Sequence, residues 1–189
     1  MNLMTPRVCL LWAALTTLPI LAGCASPGSN LPPLRPAKDM SSYRLGPGDK
    51  LAIKVLGADE LSGQYEVQGD GTIRMLLIGD VPLSGLTVET VEDEITDKLK
   101  AGGYLKQPSV SASVVTYRPF YILGEVVKPG AYSYASGMRV LSAVAVAQGY
   151  TYRANQNFAI VTRNGENSKA DAMSSINPGD IIRVPERYF

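Results

Sequence analysis

Two aspartates in matching surroundings are the first candidates for chemistry. Gly46-Pro47-Gly48-Asp49 and Asn177-Pro178-Gly179-Asp180 each set Pro-Gly-Asp ahead of an apolar run. A pair of carboxylates is the equipment of glycoside hydrolysis, one acting as acid and the other as base or nucleophile. The same tripeptide also builds a turn: Pro suits the second position, Gly accepts the positive φ of the third, and Asp bonds local backbone amides. We assign both aspartates the turn role, because no further catalytic equipment accompanies them. The 189 residues include no His, so the commonest general base and any His-ligated metal are absent. There is no Gly-x-Ser-x-Gly elbow and no Gly-x-x-x-x-Gly-Lys-Ser/Thr phosphate loop. Two cysteines make neither a four-thiolate site nor a disulfide framework. With 18 Lys+Arg against 17 Asp+Glu, the chain lacks the charge excess of a nucleic-acid binder. The chain is therefore read as a non-enzyme with no catalytic residues, cofactor or metal, and no nucleic-acid partner.

One thiol stands in a chemically suggestive place. Met1 to Arg7 is short and carries one cation, and an apolar run interrupted by Pro19 follows out to Leu21. The run is too short for a spanning helix and fits a secretory leader. It ends in Leu21-Ala22-Gly23-Cys24, which is similar to the bacterial lipobox. The similarity implies diacylation of the Cys24 thiol, cleavage before it and acylation of the new amine. Several acyl chains on one residue hold a protein on a bilayer where one would not. Ala25, not Asp, follows the cysteine, which under the bacterial sorting rule implies the outer membrane. Cleavage also removes Cys9, leaving the folded body without a free thiol.

The elements that must position these residues are legible as patterns. Residues 25–40 hold Pro27, Pro32, Pro33 and Pro36 among Gly, Ser and Asn. They read as an extended tether, able to span about 50 Å. After Asp49, Leu51, Ile53 and Val55 alternate with polar neighbours as in a half-buried strand. Residues 64–68 are a weaker strand, and 72–78 an apolar strand ending at Gly79. Residues 87–100 are predicted as a helix: Val88, Val91, Ile95 and Leu99 form one stripe, Thr87 caps it, and acids precede Lys98 and Lys100. A return strand follows at 109–116. A second module begins at 119, with a strand, a Lys128-Pro129-Gly130 turn and a short strand. A helix over 139–148 comes next, capped by Ser136. A strand at 158–162, an Asn164-Gly165 hairpin turn and a last strand at 181–184 complete it. The echo between the two Pro-Gly-Asp turns is read equally as two turns of one common type.

Several of these segments, in order, resemble one family. Tyr43-Arg44-Leu45-Gly46-Pro47-Gly48-Asp49-Lys50-Leu51 resembles the opening of the polysaccharide export domain. Asp70-Gly71-Thr72-Ile73 with Leu77-Ile78-Gly79-Asp80-Val81 is similar to its central strand pair. Gly103-Tyr104-Leu105-Lys106-Gln107-Pro108-Ser109-Val110 is similar to the segment after its helix. The run from Ile122 through Pro129-Gly130 to Tyr132 resembles the start of an SLBB module, a soluble-ligand-binding β-grasp. Two positions depart from the pattern: Leu76 stands where the family often has Pro, and Gln148 where it usually has Gly. The implied fold is α+β, with a leader at 1–23, an anchor and Pro-rich linker at 24–41, the export domain at 42–117 and the SLBB domain at 118–189. Larger family members add a second SLBB module and a C-terminal amphipathic helix that assembles into a membrane barrel. This chain, ending at 189, is read as having neither.

The resemblance implies an outer-membrane lipoprotein of capsule or exopolysaccharide export with its body in the periplasm. Ring-shaped homo-oligomers, an exported polysaccharide and an inner-membrane polysaccharide co-polymerase are the implied partners. A chain with no second apolar span cannot cross a bilayer alone, so a conduit needs several copies or a partner. The alternative is a lipid-anchored binding module for a soluble ligand or another envelope protein. Lys50, Lys54, Arg74, Arg118 and Arg139 are candidates to line a path, though ordinary solvated charge accounts for them too. Tyr132, Tyr134, Tyr150 and Tyr152 are expected to gather beside the second helix.

Overall fold

A computed structural model describes residue 28, residues 30–36 and residues 42–187. The expected leader and Cys24 lie outside the described residues. The architecture is α+β, with ten strands and two α-helices among the described residues, sorted around two apolar cores.

The first core forms where a three-stranded antiparallel sheet meets one helix. β1 (Lys50–Val55) runs between β2 (Gly63–Glu66) and β5 (Val110–Thr116). Leu51, Ile53 and Val55 bury completely on one face, as their alternation requires. Helix α1 (Val88–Ala101) lays Val91, Ile95 and Leu99 on that face. The Thr87 side chain accepts from the Thr90 amide and so satisfies one free donor of the first turn. Glu92 of the same helix accepts from the Ala112 amide of β5 at 2.7 Å, pinning helix to strand.

The expected strand at 72–78 is instead the first half of a hairpin, the pair that the family resemblance implied. β3 (Thr72–Met75) and β4 (Gly79–Pro82) pair antiparallel around a turn at 76–78. Ile73, Met75 and Val81 face the core, while Leu76 and Leu77 project at the tip, 63% and 54% exposed. Leu77 takes a left-handed φ of 68°, which apolar sequence would not suggest.

The second core lies under a five-stranded mixed sheet ordered β7 (Gly130–Tyr132), β6 (Phe120–Gly124), β10 (Ile181–Val184), β8 (Ala159–Arg163) and β9 (Glu166–Ala170). β10 is parallel to β6, and the other neighbours are antiparallel. Helix α2 (Val140–Val146) covers one face with Val140, Ala143 and Val144. It begins at Arg139 without a side-chain cap, so Ser136 does not serve there. Gln148, just past its end, has a φ of 67°, the conformation that Gly adopts without strain. The departure from the family's usual Gly thus falls on a position that would suit one.

Gly124 is required for a different reason. Its φ is +89°, and a Cβ there would overlap the Val184 carbonyl oxygen. Gly124→Ala is expected to destabilise the second module by about 3 kcal/mol, from strained backbone plus a backbone clash. Chemical denaturation measures this, and a loss under about 1 kcal/mol would mean that the ends of β6 and β10 yield.

The proline-rich stretch differs most from expectation. The Leu34 amide donates to the Lys169 carbonyl at 2.7 Å, and the Lys169 amide to the Pro32 carbonyl at 2.8 Å. Pro33 bridges Lys169 in parallel, and Leu34 packs against the second core. Residues 32–34 thus occupy the otherwise open edge of β9, where unpaired backbone groups would invite another strand. Pro is tolerated in such an edge because its missing donor can face away from the sheet. Residues 32–34 of the predicted tether are therefore bound along the sheet edge, though Pro32 and Pro33 stay exposed.

Candidate functional site

The two Pro-Gly-Asp turns meet at one side chain. Arg118 lies between the two cores, immediately before Pro119. A Cβ added at Gly46 would overlap the Arg118 guanidinium, and one at Gly179 would stand 2.7 Å from Arg118 Nε. The glycines of both turns therefore leave the room that this arginine fills. Arg118 Nε donates to the Pro178 carbonyl at 3.3 Å, and its Nη1 lies 3.6 Å from Asp49 Oδ2. Its guanidinium also sits over the Tyr43 ring, 5.6 Å from the centroid.

Each aspartate closes its own turn. Asp49 is fully buried, and its Oδ2 accepts from the Gly46 amide at 2.8 Å. The Arg118 amide donates to Oδ1 at 2.8 Å, and the Tyr43 hydroxyl reaches both oxygens. Asp180, 1% exposed, accepts from the Asn177 amide at 2.7 Å in the equivalent way. Its cation is Arg163, whose Nε and Nη2 make a forked pair at 3.0 and 2.8 Å. Arg163 also donates to the Ser175 carbonyl and to that of Arg35 in the packed linker. A buried carboxylate is tolerable only when its lone pairs are satisfied and its charge is met, and both conditions hold here. These aspartates are committed to holding backbone, and neither is free for acid-base work.

A ladder of rings backs the arginine. Tyr43 and Tyr117 meet edge to face at 5.2 Å, and Tyr117 and Tyr134 at 5.6 Å. Burial, the hydrogen bond to Asp49 and its negative charge hold the Tyr43 hydroxyl far above the usual phenol range. Burial raises Tyr117 and Tyr134 as well. Above pH ~10 an unfolded chain releases these protons while the folded one retains them. The contribution is therefore complete below ~10 and disappears as pH climbs toward the folded-state values. Tyr43→Phe is expected to flatten the alkaline fall in denaturation midpoint, and an undiminished fall in that variant would contradict the assignment.

An open cleft of about 370 Å³ lies beside this joint, lined among others by Tyr43, Arg44, Arg118, Arg163, Asn164 and Asn177. Of the residues read as turn formers, Gly46, Pro47, Gly48 and Asp49 come together with Pro178, Gly179 and Asp180. Pro129 and Gly130 do not join them: Gly130 opens β7 opposite Ile122. Cys24, the lipidation candidate, lies outside the described residues. Of the expected tyrosine cluster, Tyr134 is buried in the core that the second helix covers and Tyr132 and Tyr150 pack against that core, Tyr132 stacking on Phe120, whereas Tyr152 stands apart, 83% exposed. Among the candidate path cations, Lys50 pairs with Glu66 at 3.2 Å, and Arg74 makes a forked pair with Asp80. Sequence reasoning missed Arg163 altogether, since no spacing links it to Asp180 until the sheet is formed. No helix among the described residues is long and apolar enough to cross a membrane. No group of three potential metal ligands gathers among them.

Comparison with known proteins assigns both modules. Residues 37–115 match the family described as polysaccharide biosynthesis/export protein, and residues 119–170 match the SLBB domain. The chain is 34% identical to the exopolysaccharide production protein ExoF of Rhizobium meliloti (strain 1021), over 90% of this chain and 45% of that protein. It is 29% identical to the EPS I polysaccharide export outer membrane protein EpsA of Ralstonia nicotianae, over 77% of this chain and 48% of that one. The polysialic acid transport protein KpsD of Escherichia coli is 26% identical over 68% of this chain and 23% of its own length. The chain thus spans less than half the length of these relatives.

Proposed function

The chain belongs to the polysaccharide biosynthesis/export proteins, an export domain followed by an SLBB domain, and on that premise we propose that it is a lipid-anchored conduit component for capsule or exopolysaccharide export at the outer membrane. The observation that carries this reading is an export domain followed by an SLBB domain in a chain that aligns, over 90% and 77% of its length, with relatives whose names specify exopolysaccharide production and polysaccharide export. The leader and Cys24 supply the anchor, with the body in the periplasm. The name of EpsA, an outer membrane protein, supports the location.

Export here is guidance without bond chemistry. A hydrated, often acidic polymer needs polar walls and room. Copies of this chain provide them as a ring, above an inner-membrane polysaccharide co-polymerase that feeds the polymer in. Cyclic symmetry closes repeated contacts between identical copies and leaves an axial opening. The Arg118 joint fits this role: a ring wall needs a fixed angle between modules, and buried, fully paired polar groups hold one geometry. The runner-up, a lipid-anchored binding module, draws its support from the polar cleft beside the joint. The arginines there are already engaged by Asp49, Asp180 and backbone carbonyls, which favours the structural role.

Native mass spectrometry and electron microscopy of the detergent-extracted lipoprotein separate the two readings. A closed multimer with an axial opening is expected. Monomers alone at micromolar concentration would favour the binding module.

A further inference from the structure

The sheet of the second module has two faces, and only one is covered by its own helix. Phe120, Ile122, Val161, Ile182 and Val184 point into the core. Their alternates emerge on the other face: Tyr121, Leu123 and Ile181 remain 45%, 39% and 39% exposed there. Ile181 stands opposite Tyr121, and Arg183 opposite Leu123, so the three apolar side chains are contiguous. The charged strand residues on this face are Arg183 and Lys169, opposite Ile160 on its two sides. Both are cations, and no strand places an acid on this face.

The start of the described chain lies on the same face. Ile160 points away from the core yet is only 5% exposed. Gly28 lies against it so closely that a Cβ would meet Ile160 Cδ1 at 2.5 Å and Leu31 Cδ1 at 3.5 Å. Three residues, Ala25, Ser26 and Pro27, separate Gly28 from Cys24. Four residue steps reach at most about 14 Å when fully extended. An acylated Cys24 therefore holds its lipid within about that distance of Gly28, at the Ile160 end of this face. Leu123, two strands from Ile160, is only about 10 Å across the sheet.

Resting on the lipid-anchor reading above, the geometry points to the Tyr121, Leu123, Ile181 and Arg183 face as a docking surface for the phospholipid leaflet that holds the anchor. Tyr beside aliphatic side chains suits the headgroup boundary, and two cations without an acid suit anionic phosphates. The packed linker serves as a short leash that presents this face to the bilayer, leaving the export domain to project away.

The full lipoprotein tests this once it carries one new thiol, because Cys9 leaves with the leader and Cys24 is capped. Leu123→Cys bearing an environment-sensitive fluorophore is reconstituted in phosphatidylethanolamine and phosphatidylglycerol vesicles, with or without nitroxide on the headgroups. Most of the emission is expected to be lost when nitroxide is present. Adding Ile181→Asp and Arg183→Glu is expected to abolish that loss, with Cys24 still acylated by intact mass and the thermal midpoint unchanged. Undiminished emission from an acylated chain overturns the docking alone. Loss that persists in the triple variant also overturns it, since the probe itself would be seeking lipid. Self-quenching relieved by dilution with unlabelled chain would make the face a contact between copies and overturn the leaflet as its occupant. An unmodified Cys24 overturns anchor and docking together.

Discussion

Asp49→Ala is expected to destabilise the protein by about 3–5 kcal/mol, the range for removing one partner from a buried, hydrogen-bonded charge pair. The Gly46 amide, the Arg118 amide and the Tyr43 hydroxyl would all lose their acceptor in one step. Each buried donor left alone costs about 1–3 kcal/mol, partly recovered if water enters. Arg118 would lose its facing charge while still lodged between two glycine turns. Domains of this size are stable by about 5–15 kcal/mol in total, so the variant would stand near the folding threshold. Asp49→Asn should recover little, because its amide NH2 would be turned toward donors on one side or the other. Urea titration followed by circular dichroism measures the change. A loss under about 1 kcal/mol would show that the joint is solvated and easily replaced.

Cys24→Ser is expected to have the largest effect on function. On the proposed anchoring, loss of the thiol leaves no site for a diacylglyceryl group, so processing before residue 24 would stop and the proposed leader would remain on the chain. The protein should leave the outer-membrane fraction, and surface polysaccharide should drop to the level of cells without the protein. Fractionation, intact mass and polymer staining measure this together. Normal surface polymer from an unacylated chain would remove the anchor from the mechanism.

What the sequence revealed depended on whether the relevant physics was local. The β1 alternation and the stripe through Val91, Ile95 and Leu99 are set by burial on a regular element, and they matched the structure closely. The two Pro-Gly-Asp turns were legible because turn chemistry is written in consecutive residues. That both turns enclose Arg118 was not, because Gly46 and Gly179 approach that side chain only after both sheets have formed. The hairpin at 76–78 escaped the residue pattern because Leu76 and Leu77 continue an apolar run where a turn usually shows Gly or Asn. The break shows in the antiparallel pairing of β3 with β4 and in the left-handed φ of Leu77. The proline-rich stretch has the composition of a tether, yet an open β9 edge beside it offered hydrogen bonds that composition does not report.

Deleting the gene and measuring where its polymer accumulates tests the central claim most directly. Export by this chain predicts polymer that is still made but retained inside the cell envelope, with surface and medium depleted and restored by the complete chain. Unchanged polymer at the surface and in the medium would contradict the account.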